Sequence, residues 1–179
     1  MISVNKLLSG YRAFGHLKLA GALVSGISIF GMMLFIVADV VSRNFLSGSI
    51  SGSFEIAQNY FMPLSVFPAL GYVYASGILP KMDLLMPKVK RGLQDAVVYF
   101  LLVLELVIFA LLTYYTFVYA ISGLERSVAF PAGGTLYPLW PLFFLVPFGF
   151  TLIIIETLFV LVNNVLSDRV ALSMAGDWA

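Results

Sequence analysis

The chain has 179 residues, of which 61% are apolar and 11% are charged, and its formal net charge is +1. Soluble domains average roughly 45–50% apolar and about 25% charged residues, so the composition excludes a soluble globular domain. The near balance of basic and acidic residues excludes a basic face that binds nucleic acid. The absence of cysteine excludes disulfides, zinc–thiolate sites and iron–sulfur sites, and the single histidine, His16, lies outside every apolar stretch, which excludes a haem held between two histidines.

Four apolar stretches each reach the roughly 20 residues needed to cross a hydrocarbon core about 30 Å thick. They cover residues 19–41, 55–75, 96–120 and 137–166. We therefore expect an all-α integral membrane protein, with residues 1–179 forming a single membrane domain of four transmembrane helices. Prolines in the second and fourth stretches predict kinks, because an interior proline removes a backbone hydrogen bond. These prolines are Pro63, Pro68, Pro138, Pro141 and Pro147.

The distribution of lysine and arginine predicts the orientation of the chain. Eight of the ten basic residues lie before the first stretch, between the second and third, or after the fourth. Only Arg43 and Arg126 lie in the two alternate loops. Because basic loops are retained on the cytoplasmic side of a membrane, we expect both termini and the middle loop to be cytoplasmic.

Two segments on the predicted cytoplasmic side are amphipathic, one at about residues 3–16 and one at about residues 81–93. In each segment, apolar residues recur at helical spacing and basic residues lie elsewhere around the helix. This pattern is typical of helices that lie flat in the headgroup layer and contact membrane lipid. We expect both segments to be interfacial anchors.

Polar residues near the ends of the first two stretches are candidates for contacts outside the hydrocarbon core. Arg43 follows Asp39 by four residues, so the two side chains share a helix face and can form an ion pair that ends the first span. An ion pathway is the alternative interpretation of Asp39. Glu55 opens the second span, where a carboxylate suits the positive end of the helix dipole, and Ser53 or Ser51 can cap the same terminus. A polar contact between Glu55 and a partner protein is compatible with this arrangement.

Two further carboxylates, Glu105 and Glu156, lie well inside the third and fourth stretches, with no lysine or arginine at comparable depth. We expect a lone buried carboxylate to be protonated, because desolvation disfavours its charged form. Two interpretations remain open. Each glutamate either bonds a neighbouring helix, a second subunit or a nearby headgroup, or it carries a proton or cation across the membrane.

Small residues recur at four-residue spacing in the first stretch, where Gly21 precedes Ser25 and Ala22 precedes Gly26. Small side chains at this spacing favour close approach of a second helix.

No catalytic constellation accompanies these features. The sequence contains no glycine-rich phosphate loop, no nucleophile placed beside a base, and no soluble domain to house either. We therefore expect that the chain is not an enzyme and that it holds no cofactor or metal.

Several short motifs, taken in order, resemble the small membrane subunits of tripartite ATP-independent periplasmic (TRAP) transporters, and the resemblance covers most of the chain. The motifs are Arg43-Asn44-Phe45-Leu46, Ser53-Phe54-Glu55, Ala69-Leu70-Gly71-Tyr72-Val73-Tyr74, Lys81-Met82-Asp83-Leu84-Leu85, Tyr137-Pro138-Leu139-Trp140 and Val146-Pro147-Phe148-Gly149-Phe150. One departure is the absence of a Gly-His pair before Lys81, where this chain has Gly77-Ile78-Leu79-Pro80.

The resemblance implies a scaffold subunit in a bacterial inner membrane. Such a subunit associates with a large multi-span transport subunit, which carries the substrate and sodium sites, and a periplasmic binding protein delivers an organic acid to the complex. The resemblance further implies that Arg43, Glu55 and the loop at residues 47–53 face the periplasm, where the binding protein docks. It also implies that Glu105 and Glu156 face helices of this chain or of the large subunit.

Two other functions compete with this interpretation. The first is a self-sufficient small proton-coupled antiporter or channel that uses Glu105 or Glu156 as the carrier. The second is a quinone or haem module of a membrane enzyme, which the single histidine and the missing cysteines disfavour.

Overall fold

The structure is a computed structural model that describes residues 2–45, 48, 50–76 and 91–166, with side chains described for 10–45, 48, 50–76 and 95–165. Three of its helices are long: α1 (Ile2–Phe45), α5 (Arg91–Glu125) and α7 (Leu145–Leu166). The short helices are α2 (Ser53–Ile56), α3 (Met62–Val66), α4 (Leu70–Ala75) and α6 (Trp140–Phe143). Strands β1 (Ala129–Ala132) and β2 (Thr135–Pro138) form an antiparallel hairpin between α5 and α6.

Three helical segments among the described residues are long and apolar enough to cross a membrane. They are Gly10–Phe45, Asp95–Glu125 and Trp140–Val165. They correspond to the first, third and fourth predicted spans, so the expectation of a helical, multi-pass membrane protein is confirmed. The helix α1 has 44 residues, or about 66 Å at about 1.5 Å per residue, which is far longer than a hydrocarbon core.

The second predicted span is helical but interrupted, and we call residues 53–75 the broken helix. A π-helical turn at Ala57–Phe61 separates α2 from α3, and a 3₁₀ turn at Phe67–Ala69 separates α3 from α4. The departures from α geometry fall beside Pro63 and Pro68, as expected from the sequence. Pro68 has no N–H to donate to the carbonyl of Leu64, and the hydroxyl of Ser25 on α1 donates to that oxygen instead, at 3.3 Å.

The small residues of α1 explain how closely α1 approaches the broken helix. A Cβ atom at Gly21 would collide with the backbone oxygen of Pro68, so only glycine fits there. Because Ser25 also contacts the broken helix, the close approach predicted from Gly21 and Ser25 is confirmed. A Cβ atom at Gly26, by contrast, would meet no described atom within 4 Å.

Helix α7 lies at the centre of the fold. It packs against α5, against α4 and against the 3₁₀ turn of the broken helix. Of the three long helices it is the most buried, and α1 is the least buried. Its core side chains are apolar at Leu152, Ile153 and Val160, and the last of these packs with Val98 and Leu102 of α5.

The hairpin was not expected from the sequence, and it changes the start of the fourth span. Tyr137 and Pro138 lie in β2, so the predicted boundary at residue 137 is wrong and the helical part begins at Trp140. The turn is formed by Gly133 and Gly134, whose φ angles of 58° and 85° are both positive. Positive φ at both central residues is the backbone of a type I′ hairpin, which two consecutive glycines adopt without strain.

The structure describes the first predicted interfacial segment but only the end of the second. Residues 3–16 continue into the first span as part of α1, and no break separates them from it. On this segment Tyr11 and Phe14 pack on Phe159 of α7, with ring centroids 5.5 and 5.9 Å apart, so apolar side chains of the segment contact protein. Of the second segment, residues 81–90 lie outside the described residues, as does the tetrapeptide at residues 77–80, and Arg91 begins α5.

Candidate functional site

A buried ion pair joins the first and last long helices. Nζ of Lys18 donates to Oε2 of Glu156 at 2.7 Å, and the two side chains are 5% and 1% exposed. The hydroxyl of Tyr11 donates to the other carboxylate oxygen of Glu156 at 2.8 Å and accepts a bond from Lys18 at 3.1 Å. The ammonium group also lies 4.4 Å from the centroid of the Tyr11 ring and 5.0 Å from that of Phe14.

The expectation that Glu156 lacks a basic partner is therefore wrong. Lys18 is one of the basic residues that precede the first predicted span, but α1 begins at Ile2 and carries Lys18 along the side of α7. Helix α1 lies at the start of the chain and α7 near its end. Their packing brings together two residues that are 138 positions apart in sequence. Glu156 is thus held by hydrogen bonds from two side chains of α1, Lys18 and Tyr11.

Glu105 has a different partner. The hydroxyl of Tyr74 on α4 donates to Oε2 of Glu105 at 2.6 Å, and Thr157 donates to the Tyr74 hydroxyl at 3.4 Å. Thr157 directly follows Glu156 on α7 and is fully buried. Of the two interpretations left open for Glu105, the bond to a neighbouring helix is therefore present, with Tyr74 as the donor and Glu105 as the acceptor.

Two hydrogen-bonded sets of side chains, contributed by α1, α4, α5 and α7, meet at the adjacent residues Glu156 and Thr157. We call the six side chains the buried polar cluster, although Tyr11 and Glu105 are only half-buried. Its members are Tyr11, Lys18, Tyr74, Glu105, Glu156 and Thr157. Each bond joins two different helices except that between Tyr11 and Lys18, which are seven residues apart on α1. Among the described residues, no group of three acidic, histidine or cysteine side chains is arranged to hold a metal ion. The bonds of the cluster attach the four helices to one another.

A second polar site lies at the hairpin end of the molecule. Arg43 and Asp39 form the predicted ion pair, with Nη2 of Arg43 at 2.7 Å from Oδ2 of Asp39. The Asp39 side chain is 8% exposed, whereas that of Arg43 is 57% exposed. Asp39 also accepts a bond from the backbone N–H of Ile50 at 2.8 Å, and the hydroxyl of Ser53 bonds the same carboxylate. Asp39 therefore ties the chain after α1 to the end of that helix.

The start of α2 bears on two predictions, one for the helix cap and one for Glu55. Gly52, with φ of 79°, is the N-cap of α2, and no side chain caps the terminus, so the prediction that Ser51 or Ser53 caps it is wrong. Ser53 is instead buried against Asp39. Glu55 is exposed in the first turn of α2, as expected for a carboxylate at this helix end.

The hairpin packs against the start of the broken helix. Gly52 lies so close to Ala132 and Gly133 that a Cβ atom on it would fall 2.6 Å from the Gly133 nitrogen. The hydroxyl of Tyr60 donates to the carbonyl of Pro138 at 2.5 Å, and its ring lies 5.5 Å from that of Phe130. The loop after α1 and the hairpin therefore form one continuous surface, which we call the hairpin-end surface (residues 48, 50–55 and 129–138).

Four members of the buried polar cluster were not singled out as site residues from the sequence: Tyr11, Lys18, Tyr74 and Thr157. The sequence contained one indication that two of these residues lie together. Tyr11 and Lys18 are seven residues apart and therefore share a helix face once α1 is known to begin before residue 11. Tyr74 appears in the sequence analysis only as part of a family motif, and nothing in the sequence pattern links it to Glu105.

A known protein family matches most of the chain. The family model described as tripartite ATP-independent periplasmic transporters, DctQ component, matches residues 32–167, which is most of the chain. No curated protein and no solved structure matches the chain. The matched region contains the broken helix, the hairpin, α5 and α7, together with Asp39, Arg43, Glu55, Glu105 and Glu156. The chain therefore belongs to the DctQ component family of tripartite ATP-independent periplasmic transporters.

Proposed function

We propose that the chain is the scaffold subunit of a secondary transporter that is driven by a sodium gradient and takes up organic acids across a bacterial inner membrane. It associates with a large transport subunit, which holds the substrate and sodium ions, and helps to dock a periplasmic binding protein. Membership in the DctQ family supports the transporter assignment. The substrate class, the sodium coupling and the docking role are parts of the proposal.

In this proposal the chain crosses the membrane four times. The broken helix is the second crossing, since residues 53–75 span about 34 Å at about 1.5 Å per residue, enough for a hydrocarbon core of about 30 Å. An even number of crossings agrees with the distribution of eight basic residues against two, which favours cytoplasmic termini. The hairpin-end surface then faces the periplasm.

The observation that carries the scaffold assignment is the pairing of Glu156 with Lys18. An ion carrier must exchange its partner with water during transport, whereas Glu156 is 1% exposed and bonded to two side chains of its own chain. Glu105, the other candidate carrier, accepts a bond from Tyr74. Two grooves of the described surface, of about 430 and 310 Å³, are lined by neither glutamate. These features favour a fixed support over a self-sufficient antiporter or channel.

Docking of the binding protein is proposed at the hairpin-end surface, with Arg43 and Glu55 as exposed contacts and Asp39 and Ser53 as supports beneath them. Arg43 and Glu55 offer opposite charges at neighbouring helix ends. Complementary charges guide association more than they add affinity. We therefore expect substitutions here to slow docking rather than to abolish assembly of the membrane subunits.

The experiment compares four alanine variants in cells or vesicles that contain the complete transporter. Arg43→Ala and Glu55→Ala remove the proposed contacts. Arg12→Ala and Asp95→Ala are the controls, which remove exposed charges near the first residues of α1 and α5. We expect slower uptake of the organic acid only for the first pair, with normal amounts of complex in all four. Unchanged uptake and assembly in Arg43→Ala and Glu55→Ala would remove these residues from the proposal.

The antiporter alternative is tested by reconstituting the chain alone in liposomes with an imposed proton or sodium gradient. The scaffold assignment predicts no ion flux from the chain alone and substrate flux only when the large subunit and the binding protein are added. Flux from the chain alone that is abolished by Glu105→Gln or Glu156→Gln would establish the alternative.

A further inference from the structure

The hairpin contacts the residues at the start of the broken helix in two separate places. At its turn, the backbone of residues 51 and 52 lies so close to Gly133 that a Cβ atom on Gly133 would fall 2.8 Å from the carbonyl oxygen of Ser51. At its open end, where β2 finishes, the hydroxyl of Tyr60 donates to the carbonyl of Pro138 at 2.5 Å. Because the two contacts lie at opposite ends of the hairpin, together they determine its orientation.

Tyr60 also contacts the hairpin through its ring. The ring of Phe130 in β1 lies between that of Tyr60, with centroids 5.5 Å apart, and that of its cross-strand partner Tyr137, with centroids 6.0 Å apart. Phe130 is buried. Both separations are within the range of about 4.5–7 Å in which aromatic pairs attract one another. A displacement of Tyr60 would therefore shift both strands.

Tyr60 is itself firmly supported from the other side. It belongs to the π-helical turn of the broken helix, and the ring of the next residue, Phe61, lies 5.8 Å from that of Phe35 on α1. A Cβ atom on Gly31 of α1 would come within 3.1 Å of the Phe61 ring, so α1 and this turn are in close contact. Two consecutive residues thus connect α1 with the hairpin, which takes its position from α1 and the broken helix.

The bond between Tyr60 and Pro138 is exposed. When it is broken, both groups can bond to water, so we expect the free energy of unfolding to change little. The contribution of the bond is geometric, because it selects one orientation of the hairpin among those that the chain connections to α5 and α6 allow.

We infer that Tyr60 is a positioning residue for docking of the periplasmic binding protein. It acts through Pro138 and Phe130, and it holds the hairpin where β1 and β2 form one face with Arg43 and Glu55. A surface that is already held in its bound orientation loses less conformational freedom on association, which raises affinity. The inference rests on the proposed docking at the hairpin-end surface and adds the residue that sets the geometry of that surface.

The first test measures uptake by vesicles that contain the complete transporter, as the concentration of substrate-loaded binding protein is varied. In Tyr60→Phe we expect the half-saturating concentration of the binding protein to rise about three- to tenfold, the range given by one lost hydrogen bond, with maximal uptake unchanged. The matched control is Tyr114→Phe, which removes the hydroxyl of an exposed tyrosine on α5 and should change neither value.

The second test measures the orientation of the hairpin by electron paramagnetic resonance. The chain has no cysteine, so spin labels attach only to introduced ones, at Leu136→Cys on β2 and Val107→Cys on α5, both of which are exposed positions. We expect the distribution of distances between the two labels to be broader in Tyr60→Phe than in Tyr114→Phe.

An unchanged half-saturating concentration in Tyr60→Phe, or a loss confined to maximal uptake, would overturn the inference. Equal widths of the two distance distributions would do the same. Arg43→Ala and Glu55→Ala in the same uptake assay separate this inference from the proposed function. If they raise the half-saturating concentration and Tyr60→Phe does not, only the role of Tyr60 is wrong. If none of the three raises it, docking at the hairpin-end surface is contradicted as well.

Discussion

The molecule has two ion pairs of equal length that differ in the exposure of their charged side chains. The Lys18–Glu156 and Arg43–Asp39 contacts both measure 2.7 Å, yet the side chains of the first are 5% and 1% exposed and those of the second are 57% and 8% exposed. The first joins two helices from opposite ends of the chain, and the second lies within one helix turn. The burial of the charges, rather than the distance between them, decides what each pair contributes to the fold.

The largest expected effect comes from breaking the buried pair. Lys18→Met leaves the Glu156 carboxylate buried without a cation, which we expect to lower the free energy of unfolding by about 3–5 kcal/mol. Reversible unfolding of the purified chain in mixed micelles, as the fraction of denaturing detergent rises, measures this change.

The control replaces both partners. In Lys18→Met combined with Glu156→Leu no charge is left unpaired, so most of the lost stability should return. Arg43→Met, which removes a mostly exposed cation, should leave unfolding almost unchanged. A double variant as unstable as the single one would show that the ion pair itself, and not the cost of an unpaired charge, holds α1 to α7.

A smaller effect is expected where α1 meets the broken helix through backbone atoms. Gly21→Ala forces a Cβ atom against the Pro68 carbonyl, and overpacking of this kind costs about 1–3 kcal/mol. Gly26→Ala has open space around the new atom and should be neutral or stabilise the helix by about 0.5–1 kcal/mol. The same unfolding measurement applies. Equal effects of the two variants would contradict the close approach of α1 to the 3₁₀ turn.

The Tyr74 hydroxyl links Glu105 to Thr157 and provides the next smaller test. Tyr74→Phe removes a donor and an acceptor while keeping the ring, and we expect a loss of about 0.5–1.5 kcal/mol in the free energy of unfolding. Tyr72→Phe, on an exposed ring of the same helix, is the matched control and should change nothing. If the two variants unfold alike, Glu105 obtains its stabilisation elsewhere.

The smallest effect on global stability is expected at the hairpin end, where the change is local. Asp39→Ala removes the acceptor of the Ile50 N–H, so that amide should exchange its hydrogen faster. Arg43→Ala leaves the acceptor in place and should preserve most of the protection. Hydrogen exchange followed by mass spectrometry of the peptide containing Ile50 separates the two. Equal protection in both variants would show that the Asp39 carboxylate does not hold the loop.

Sequence reasoning predicted the elements that composition determines. The apolar stretches located three membrane-spanning helices, and the four-residue spacing of Asp39 and Arg43 predicted their ion pair, because both inferences use only local periodicity. The spacing of Gly21 and Ser25 likewise predicted a close helix contact. The hairpin was missed although Gly133-Gly134 between two short apolar runs is a recognisable turn signal.

The buried polar cluster could not be predicted in the same way. The partner of Glu156 is determined by how far α1 extends and by its packing against α7, and neither is encoded in the local pattern around Lys18. Basic residues that flank an apolar stretch are ordinarily assigned to the membrane surface. Lys18 directly precedes the apolar stretch and is nevertheless buried, because Tyr11, Phe14 and Glu156 provide it with aromatic and anionic partners.

The central claim is that this chain supports a larger transport subunit. The most direct test is affinity purification of the chain from its native membrane in mild detergent, with the co-purifying proteins identified and counted by mass spectrometry. The scaffold assignment predicts one large, highly apolar membrane protein in a ratio near one to one. Isolation of the chain alone, or only as a homo-oligomer, would contradict the assignment and make Glu105 and Glu156 the residues to test for ion transport.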